Sequence, residues 1–133
     1  MNDAYERGMA VRRAVLGDAH VDRANAGKTE FTGEFQDLIT RYAWGEIWSR
    51  PGLDRKTRSC VVLTATIALG AWDEFRLHVR GAFNNGLTEQ EIKEVILQAA
   101  IYCGVPAANH AFKEAAAVVS ERAREGTVDV PVR

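Results

Sequence analysis

The sequence predicts an all-α fold, a six-helix bundle forming a single domain over residues 1–133. Apolar residues recur at three- and four-residue steps through most of the chain, which is the period of helices buried on one side. Glycine or proline separates these segments. The length of 133 residues suits one domain with one hydrophobic core, and the 47% hydrophobic and 26% charged content is that of an ordinary globular protein.

The N-terminal third predicts two helices joined by a loop. Residues 4–16 are expected to form a first helix that ends at Gly17, and residues 34–48 a second helix that ends before Pro51. Between them, residues 17–33 contain three glycines together with Asp18, Asn25, Thr29 and Thr32, which predicts a long loop. Because such loops often carry function in compact domains, functional residues are expected there.

The middle of the chain predicts a helix over 55–69, with Asp54 as its N-cap and Gly70 at its end. Residues 61–69 are rich in β-branched side chains and resemble a strand. The full length of the segment favours a helix, since strands are shorter. Because the segment is apolar on nearly every side, the helix is expected to be central and buried.

Three further segments are predicted in the C-terminal half. A fourth helix is expected over 72–85, and a fifth begins at Thr88, where Glu91 completes a capping box. Pro106 suits the first turn of a sixth helix, which is expected to run to about residue 124. The remaining tail, 125–133, is expected to be extended.

Composition argues against several function classes. The net charge of −1 argues against a nucleic-acid surface. No apolar run is long enough for a membrane helix, and charges interrupt the N-terminal region where a signal peptide would be apolar, so a cytoplasmic protein is expected. Cys60 and Cys103 are too far apart for a CxxC redox pair or a zinc knuckle. The three histidines lack metal-ligand spacing, so no metal site is expected.

His78 is a candidate for acid–base chemistry. It lies at the edge of the apolar face of the fourth helix, with Glu74 one turn earlier and the small residues Gly81 and Ala82 nearby. A histidine in this setting suits proton transfer near neutral pH. The alternative is a partly buried histidine that makes one hydrogen bond and has no catalytic role, and periodicity alone favours this alternative.

Glu46 is a second candidate because it lies between Trp44 and Trp48 in the sequence. A carboxylate desolvated by two indole rings would have a raised pKa, as a general acid needs. The alternative is a surface glutamate on a helix whose tryptophans pack inward, which the pattern alone favours.

Arg58 and His20 are further polar candidates. Arg58 lies where the third helix becomes apolar, so it is the basic residue of that turn most expected to point into a pocket. Arginine binds carboxylates through two parallel hydrogen bonds, which predicts an anion site; a solvated first turn is the alternative. His20 lies in the predicted loop, where exposure to solvent is the alternative to a role in binding.

Three blocks of sequence carry a resemblance to a known family: Trp44–Leu53 (WGEIWSRPGL), His78–Gly86 (HVRGAFNNG) and Tyr102–Asn109 (YCGVPAAN). In this order and spacing the chain resembles the carboxymuconolactone decarboxylase family over about residues 3–120. The resemblance implies the all-helical AhpD-like fold, usually assembled as a homohexamer. It also implies cofactor-free decarboxylation of 4-carboxymuconolactone to the enol-lactone of 3-oxoadipate, a step of protocatechuate breakdown in the β-ketoadipate pathway.

With this resemblance, we expect His78 to deliver a proton or stabilise an oxyanion, with Glu46 as its partner or as the acid itself. Arg58 and Arg80 would bind carboxylates of the substrate. Helical angle places Arg80 well away from His78 on the same helix, so Arg80 is expected to act across a subunit contact. Four further residues would line the pocket: His20, Trp44, Asn84 and Asn85.

Two other function classes stay open at this point. Thiol peroxidases and disulfide reductases of the AhpD-like fold need a CxxC on the helix that carries His78 here, whereas residues 70–74 contain no cysteine. This difference argues against thiol chemistry. The second alternative is a non-catalytic helical binding protein of the same fold. The expected partners are a small dicarboxylate lactone and further copies of the chain, with no nucleic acid and no membrane.

Overall fold

In the computed structural model, which describes residues 3–129 and their side chains as far as residue 126, the chain is all-α, as predicted. The described range contains seven α-helices and one π-helical segment, so the expected count of six helices is wrong. In chain order they are α1 (Asp3–Leu16), α2 (Asp18–Ala26), α3 (Glu30–Ile39), the π segment (Thr40–Trp48), α4 (Arg55–Leu69), α5 (Trp72–Asn84), α6 (Glu89–Cys103) and α7 (Val105–Asp129).

The segment expected to be a long loop is mostly helical, and this prediction is wrong. Gly17, with a φ of 89°, ends α1, and α2 starts at the next residue. Glycine adopts this left-handed conformation without steric cost, so one residue makes the turn. Arg13 of α1 pairs with Asp18 and Asp22 of α2 at 3.0 and 2.9 Å. Val21 is the buried residue of α2, and one inward side chain shows no helical period in a sequence.

The second predicted helix begins earlier than expected, at Glu30, and changes to π geometry at Thr40. Arg12 of α1 contacts this transition. Its buried guanidinium donates hydrogen bonds to Thr40 Oγ1 and to Gln36 Oε1, both at 3.1 Å. π-helical turns are rare and frequently occur at functional sites. The apolar period of the sequence did not indicate this change.

Two glycines bring α1 and the π segment into direct backbone contact. A Cβ atom on Gly8 would collide with the carbonyl oxygen of Thr40, and a Cβ atom on Gly45 would collide with that of Ala4. Arg7 of α1 donates from Nε to the carbonyl oxygen of Gly45 at 2.9 Å. The packing of these two elements therefore requires glycine at both positions.

Contacts within the chain define two compact units, residues 1–58 and residues 59–133. The first contains α1, α2, α3, the π segment and the first turn of α4. The second contains the rest of α4 together with α5, α6 and α7. A single domain over the whole chain stays a prediction.

The second unit is built on an apolar core to which each of its helices contributes, with Phe75 completely buried. α4 has the predicted bounds but buries only one face: Leu63 and Ile67 are buried, whereas Val61 is 57% and Leu69 80% exposed. The expectation of a helix buried on all sides is therefore wrong within this chain. The core consists of Leu63, Ile67, Phe75, Val79, Ala82, Leu87, Ile92, Ile96, Ala99, Ala108, Ala111, Ala115 and Val118.

Two helix starts follow the predicted capping chemistry. Asp54 accepts a hydrogen bond from the backbone N–H of Thr57 at 2.7 Å, and this bond holds the pKa of the Asp54 carboxyl below its usual range. Thr88 and Glu91 form the expected reciprocal capping box at the start of α6. Both caps lie where the sequence places them.

The last helix is longer than expected. α7 begins at Val105 and continues to Asp129, so the expectation of an extended tail is wrong for residues 125–129. Residues 130–133 of that predicted tail lie outside the described residues. Within the described part of the chain, no helix has the length and apolar content needed to cross a membrane.

Candidate active site

His78 lies on α5, where its side chain is buried with 8% exposure. Its neighbours Phe75 and Val79 belong to the core of the second unit, and Gly81 and Ala82 are also buried. The histidine thus lies beside the apolar face of a well-packed helix, as the sequence predicts. A buried imidazole on a rigid element suits controlled proton transfer.

Asn85 follows the last residue of α5 and lies two helical turns from His78 on the same side of that helix. Its Nδ2 donates a hydrogen bond to Oγ of Ser59 at 2.8 Å. Ser59 lies on α4 and has no exposed surface. Asn84 is exposed. The structure therefore brings Asn85 together with a buried hydroxyl that sequence reasoning missed.

The spacing of α4 contained a signal for Ser59. Ser59, Leu63 and Ile67 recur at four-residue steps and share the buried face of α4. A polar residue that occurs in an apolar stripe of this kind is a candidate for a functional role, because burying it without a purpose is unfavourable.

Trp44 and Trp48 stack on each other in the π segment, with ring centroids 5.0 Å apart and an interplanar angle of 24°. Both rings are buried. The carboxylate of Glu46 faces elsewhere: its side chain is 57% exposed and lies 3.6 Å from Nη2 of Arg7. Within this chain, desolvation of Glu46 between the tryptophans is therefore wrong, and the alternative of inward-packed tryptophans describes the segment.

Arg58 is half-buried in the first turn of α4. Its Nη2 donates to the carbonyl oxygen of Arg50 at 3.1 Å. Its Nε is buried and has no hydrogen-bond acceptor among the described residues. The guanidinium is thus held at one end and retains a buried donor, which is a suitable arrangement for binding a carboxylate.

Arg80 contacts two carboxylates of α7. Its Nη2 lies 2.9 Å from Glu121 Oε1 and 2.9 Å from Glu125 Oε2. The hydrogen bond with Glu125 is the main cause that raises the pKa of Arg80, and the same contact lowers the pKa of Glu125. Arg76 pairs with Glu121 as well, at 2.6 Å. A substrate carboxylate at Arg80 would therefore compete with two carboxylates of the protein.

The structure gives less support for a functional role of the remaining candidates, His20 and the two cysteines. His20 is half-buried and lies on α2 rather than in a loop. Cys60 and Cys103 form no disulfide among the described residues and pack beside the core of the second unit. Among the described residues, no group of His, Cys, Asp and Glu side chains has the arrangement of a metal site.

Two cavities lie apart from the predicted site residues. One of about 570 Å³ is lined by residues of α5, α6 and α7, including Phe83, Ile96, Phe112 and the polar Lys93. The other, of about 350 Å³, is lined by residues of α3 and by Arg41 of the π segment. None of the predicted site residues lines either cavity. These two cavities therefore do not identify a binding pocket around the candidate residues.

Comparison with known proteins identifies the family to which this chain is related. Residues 33–117 match the model of the carboxymuconolactone decarboxylase family. The chain is 48% identical over 123 residues to 4-carboxymuconolactone decarboxylase of Acinetobacter baylyi, covering 91% of this chain and 92% of that one. It is 52% identical over 102 residues to nitrosuccinic acid decarboxylase of Metarhizium robertsii, covering 77% of this chain and 71% of that one. Together with the helical fold, these matches show that the chain belongs to the carboxymuconolactone decarboxylase family.

Proposed function

We propose that this protein decarboxylates 4-carboxymuconolactone to the enol-lactone of 3-oxoadipate without a cofactor, as a step in protocatechuate breakdown through the β-ketoadipate pathway. One observation carries the proposal, the 48% identity to the Acinetobacter baylyi enzyme of that name over 91% of the chain. A cytoplasmic location is part of the same proposal.

The substrate provides its own electron sink. The departing carboxylate lies on the ring carbon bonded to the ring oxygen, and the ring double bond joins that carbon to the lactone carbonyl. When the bond to CO2 breaks, its electron pair moves through the double bond onto the carbonyl oxygen, which leaves an aromatic furan oxyanion. A proton added to the carbon next to the carbonyl then gives the product. The protein must therefore bind the retained carboxylate, stabilise the oxyanion and deliver a proton.

We assign proton delivery, or stabilisation of the oxyanion, to His78. Its burial supports this role, since a shielded imidazole transfers its proton to the substrate rather than exchanging it with bulk water. Glu46 is its proposed partner or the acid itself. Because Glu46 is mostly exposed and pairs with Arg7 within the chain, this role requires surroundings that a neighbouring subunit would supply.

Arg58 is the proposed clamp for the retained carboxylate. Its buried Nε would gain an acceptor when a carboxylate binds, while its contact with the Arg50 carbonyl holds the side chain in place. Arg80 remains a second proposed carboxylate ligand, acting across a subunit contact after exchanging its bonds with Glu121 and Glu125. We propose pocket-lining roles for the others: His20, Trp44, Asn84 and Asn85.

Self-association into a homohexamer belongs to the proposal. α3 presents an apolar stripe to solvent, with Phe31 95% and Phe35 62% exposed, followed by Leu38 and then by Tyr42 of the π segment. Large exposed apolar stripes of this kind mark interaction surfaces. Assembly would cover the stripe and would supply neighbours for candidate residues such as Glu46, which is mostly exposed within the chain.

Nitrosuccinic acid is a second candidate substrate, favoured by the 52% identity to the Metarhizium robertsii enzyme. The two acids share their chemistry. Each has two carboxylates, and each loses the one whose departing electrons are accepted by a neighbouring group, the unsaturated lactone in one case and the nitro group in the other. In both cases a carbon is then protonated, so the same residues would serve.

A direct assay tests the proposal. The purified protein is incubated with each acid separately, CO2 release and ultraviolet absorbance are followed, and kcat/KM is compared. A kcat/KM for 4-carboxymuconolactone at least tenfold above that for nitrosuccinate is expected, since one lost group contact is worth about this factor. The reverse ratio would assign the second candidate, and no turnover of either acid would overturn both.

A further inference from the structure

We propose that the hydroxyl of Ser59, oriented by Asn85, donates a hydrogen bond to a carboxylate of the bound substrate. The inference rests on the proposed function and adds a specificity-determining residue to it. Ser59 is completely buried, and it lies on α4 in the same compact unit as His78 and Asn85.

The direction of one hydrogen bond sets the role of Ser59. Asn85 donates from Nδ2 to Ser59 Oγ at 2.8 Å, so the serine oxygen is the acceptor in this contact. The hydroxyl proton is then directed away from Asn85. Among the described residues, Ser59 Oγ makes no other hydrogen bond. A buried hydroxyl proton without an acceptor is unfavourable, and a ligand oxygen would remove that cost.

Other helical hydroxyls in this chain behave differently. Thr66, on the same helix, donates to the carbonyl oxygens of Val62 and Leu63 at 2.8 and 3.0 Å. Thr64 donates to the carbonyl oxygen of Cys60 at 3.0 Å. These protons are satisfied by the backbone of their own helix, which is the usual arrangement for serine and threonine within helices. Ser59 departs from this pattern because Asn85, the residue after α5, donates a hydrogen bond to it.

The position of Asn85 indicates which group of the substrate would accept a hydrogen bond from Ser59. Asn85 lies seven residues after His78 on the same side of α5, about 10.5 Å along the helix axis. A group held there is remote from the ring carbon that His78 would protonate and suits a carboxylate at the other end of the molecule. A carboxylate is also the strongest acceptor the substrate offers to a neutral hydroxyl.

Kinetics of Ser59→Ala test the proposal, with Thr66→Val as the matched control because Thr66 is also a buried hydroxyl on α4. For Ser59→Ala we expect KM for 4-carboxymuconolactone to rise about 10- to 100-fold, the range for a lost bond to a charged group, with kcat nearly unchanged. Thr66→Val should leave both constants near their wild-type values. Asn85→Asp replaces the donor with an acceptor that would capture the serine proton, so its KM should rise as well.

Each other outcome overturns the assignment. A KM within about twofold of wild type in Ser59→Ala removes the hydrogen bond to the carboxylate. A fall in kcat at constant KM assigns Ser59 to the reaction step instead. Equal losses in Ser59→Ala and Thr66→Val, with equal decreases in Tm, show a purely structural role. A wild-type protein inactive on both acids overturns the proposed function and this inference with it, whereas the other results concern Ser59 alone.

Discussion

At the scale of single residues, two candidate polar side chains are buried, whereas Glu46 and Asn84 are exposed. His78 and Ser59 are both buried in the second unit, where a polar group without a function is costly. The sequence pattern indicated His78 because it lies beside apolar neighbours with small residues close by. For Ser59 the spacing of α4 gives only its place on the buried face, because the role of this hydroxyl depends on a hydrogen bond from Asn85 that no local pattern shows.

His78→Ala is expected to lower kcat for 4-carboxymuconolactone about 10²- to 10⁴-fold, the usual contribution of a positioned proton donor. Turnover is followed by ultraviolet absorbance, and circular dichroism confirms that the variant is folded.

Glu46→Gln, which keeps the shape of the side chain, should also lower kcat if the carboxylate takes part in proton transfer. A folded variant with near-wild-type kcat would remove that residue from the catalytic machinery.

Arg58→Lys is expected to raise KM at least about tenfold with little change in kcat, because lysine has no equivalent of the buried Nε donor and binds carboxylates as a point charge. Steady-state kinetics on the lactone measure this effect. Arg55→Lys, an exposed arginine in the same turn, is the control and should retain wild-type constants. An unchanged KM in Arg58→Lys would place Arg58 outside the substrate site.

At the scale of elements, α5 is joined to α7 by a network of ion pairs in which Glu121 contacts both Arg76 and Arg80. The hydrogen bond from Arg80 is the main cause that lowers the pKa of Glu121. A carboxylate whose pKa is lowered on folding stabilises the folded state above its unfolded-state pKa. This contribution is lost as the pH falls through the folded-state pKa.

Glu121→Gln is therefore expected to lower Tm at pH 7 and to have little effect at about pH 3, where the wild-type carboxylate is itself increasingly protonated. Thermal unfolding at the two pH values measures the difference. Glu125→Gln is the matched comparison, with a smaller expected decrease because Arg80 is the one ion-pair partner of Glu125 among the described residues and Glu125 is more exposed. A decrease in Tm for Glu121→Gln that is the same at both pH values would show that the ion pairs are not its source.

At the scale of the whole molecule, the chain leaves large apolar side chains on its surface. On α3 these are Phe31, Phe35 and Leu38, and Tyr42 of the π segment continues the same spacing. Elsewhere, Leu69, Ile101 and Val105 are each more than two-thirds exposed. In a monomer these residues stay exposed to water, whereas an assembly gains free energy by burying them. Self-association is therefore the expected state.

Light scattering coupled to size exclusion is expected to give a mass several times that of one chain, with a homohexamer as the proposed assembly. The double variant Phe31→Ser and Phe35→Ser should give a smaller species, because it removes apolar area from the α3 stripe. Glu30→Ser, a polar change on the same helix, should leave the mass unchanged. A wild-type protein that elutes as a monomer would remove both the assembly and the proposed role of Arg80 across a subunit contact.

The sequence by itself determined the helical class and the start of α6, because apolar spacing and the Thr88 capping box are local signals. It also indicated His78 by its neighbours on one helix. The π geometry of residues 40–48, which contact α1 through Gly8 and Gly45, is seen only in the tertiary structure. The same is true of the partners of Arg80, which lie on α7, and of Asn85, the residue after α5 that donates a hydrogen bond to Ser59. The physical reason is range: helix propensity and caps act within a few residues, whereas hydrogen bonds and ion pairs join positions far apart in the chain.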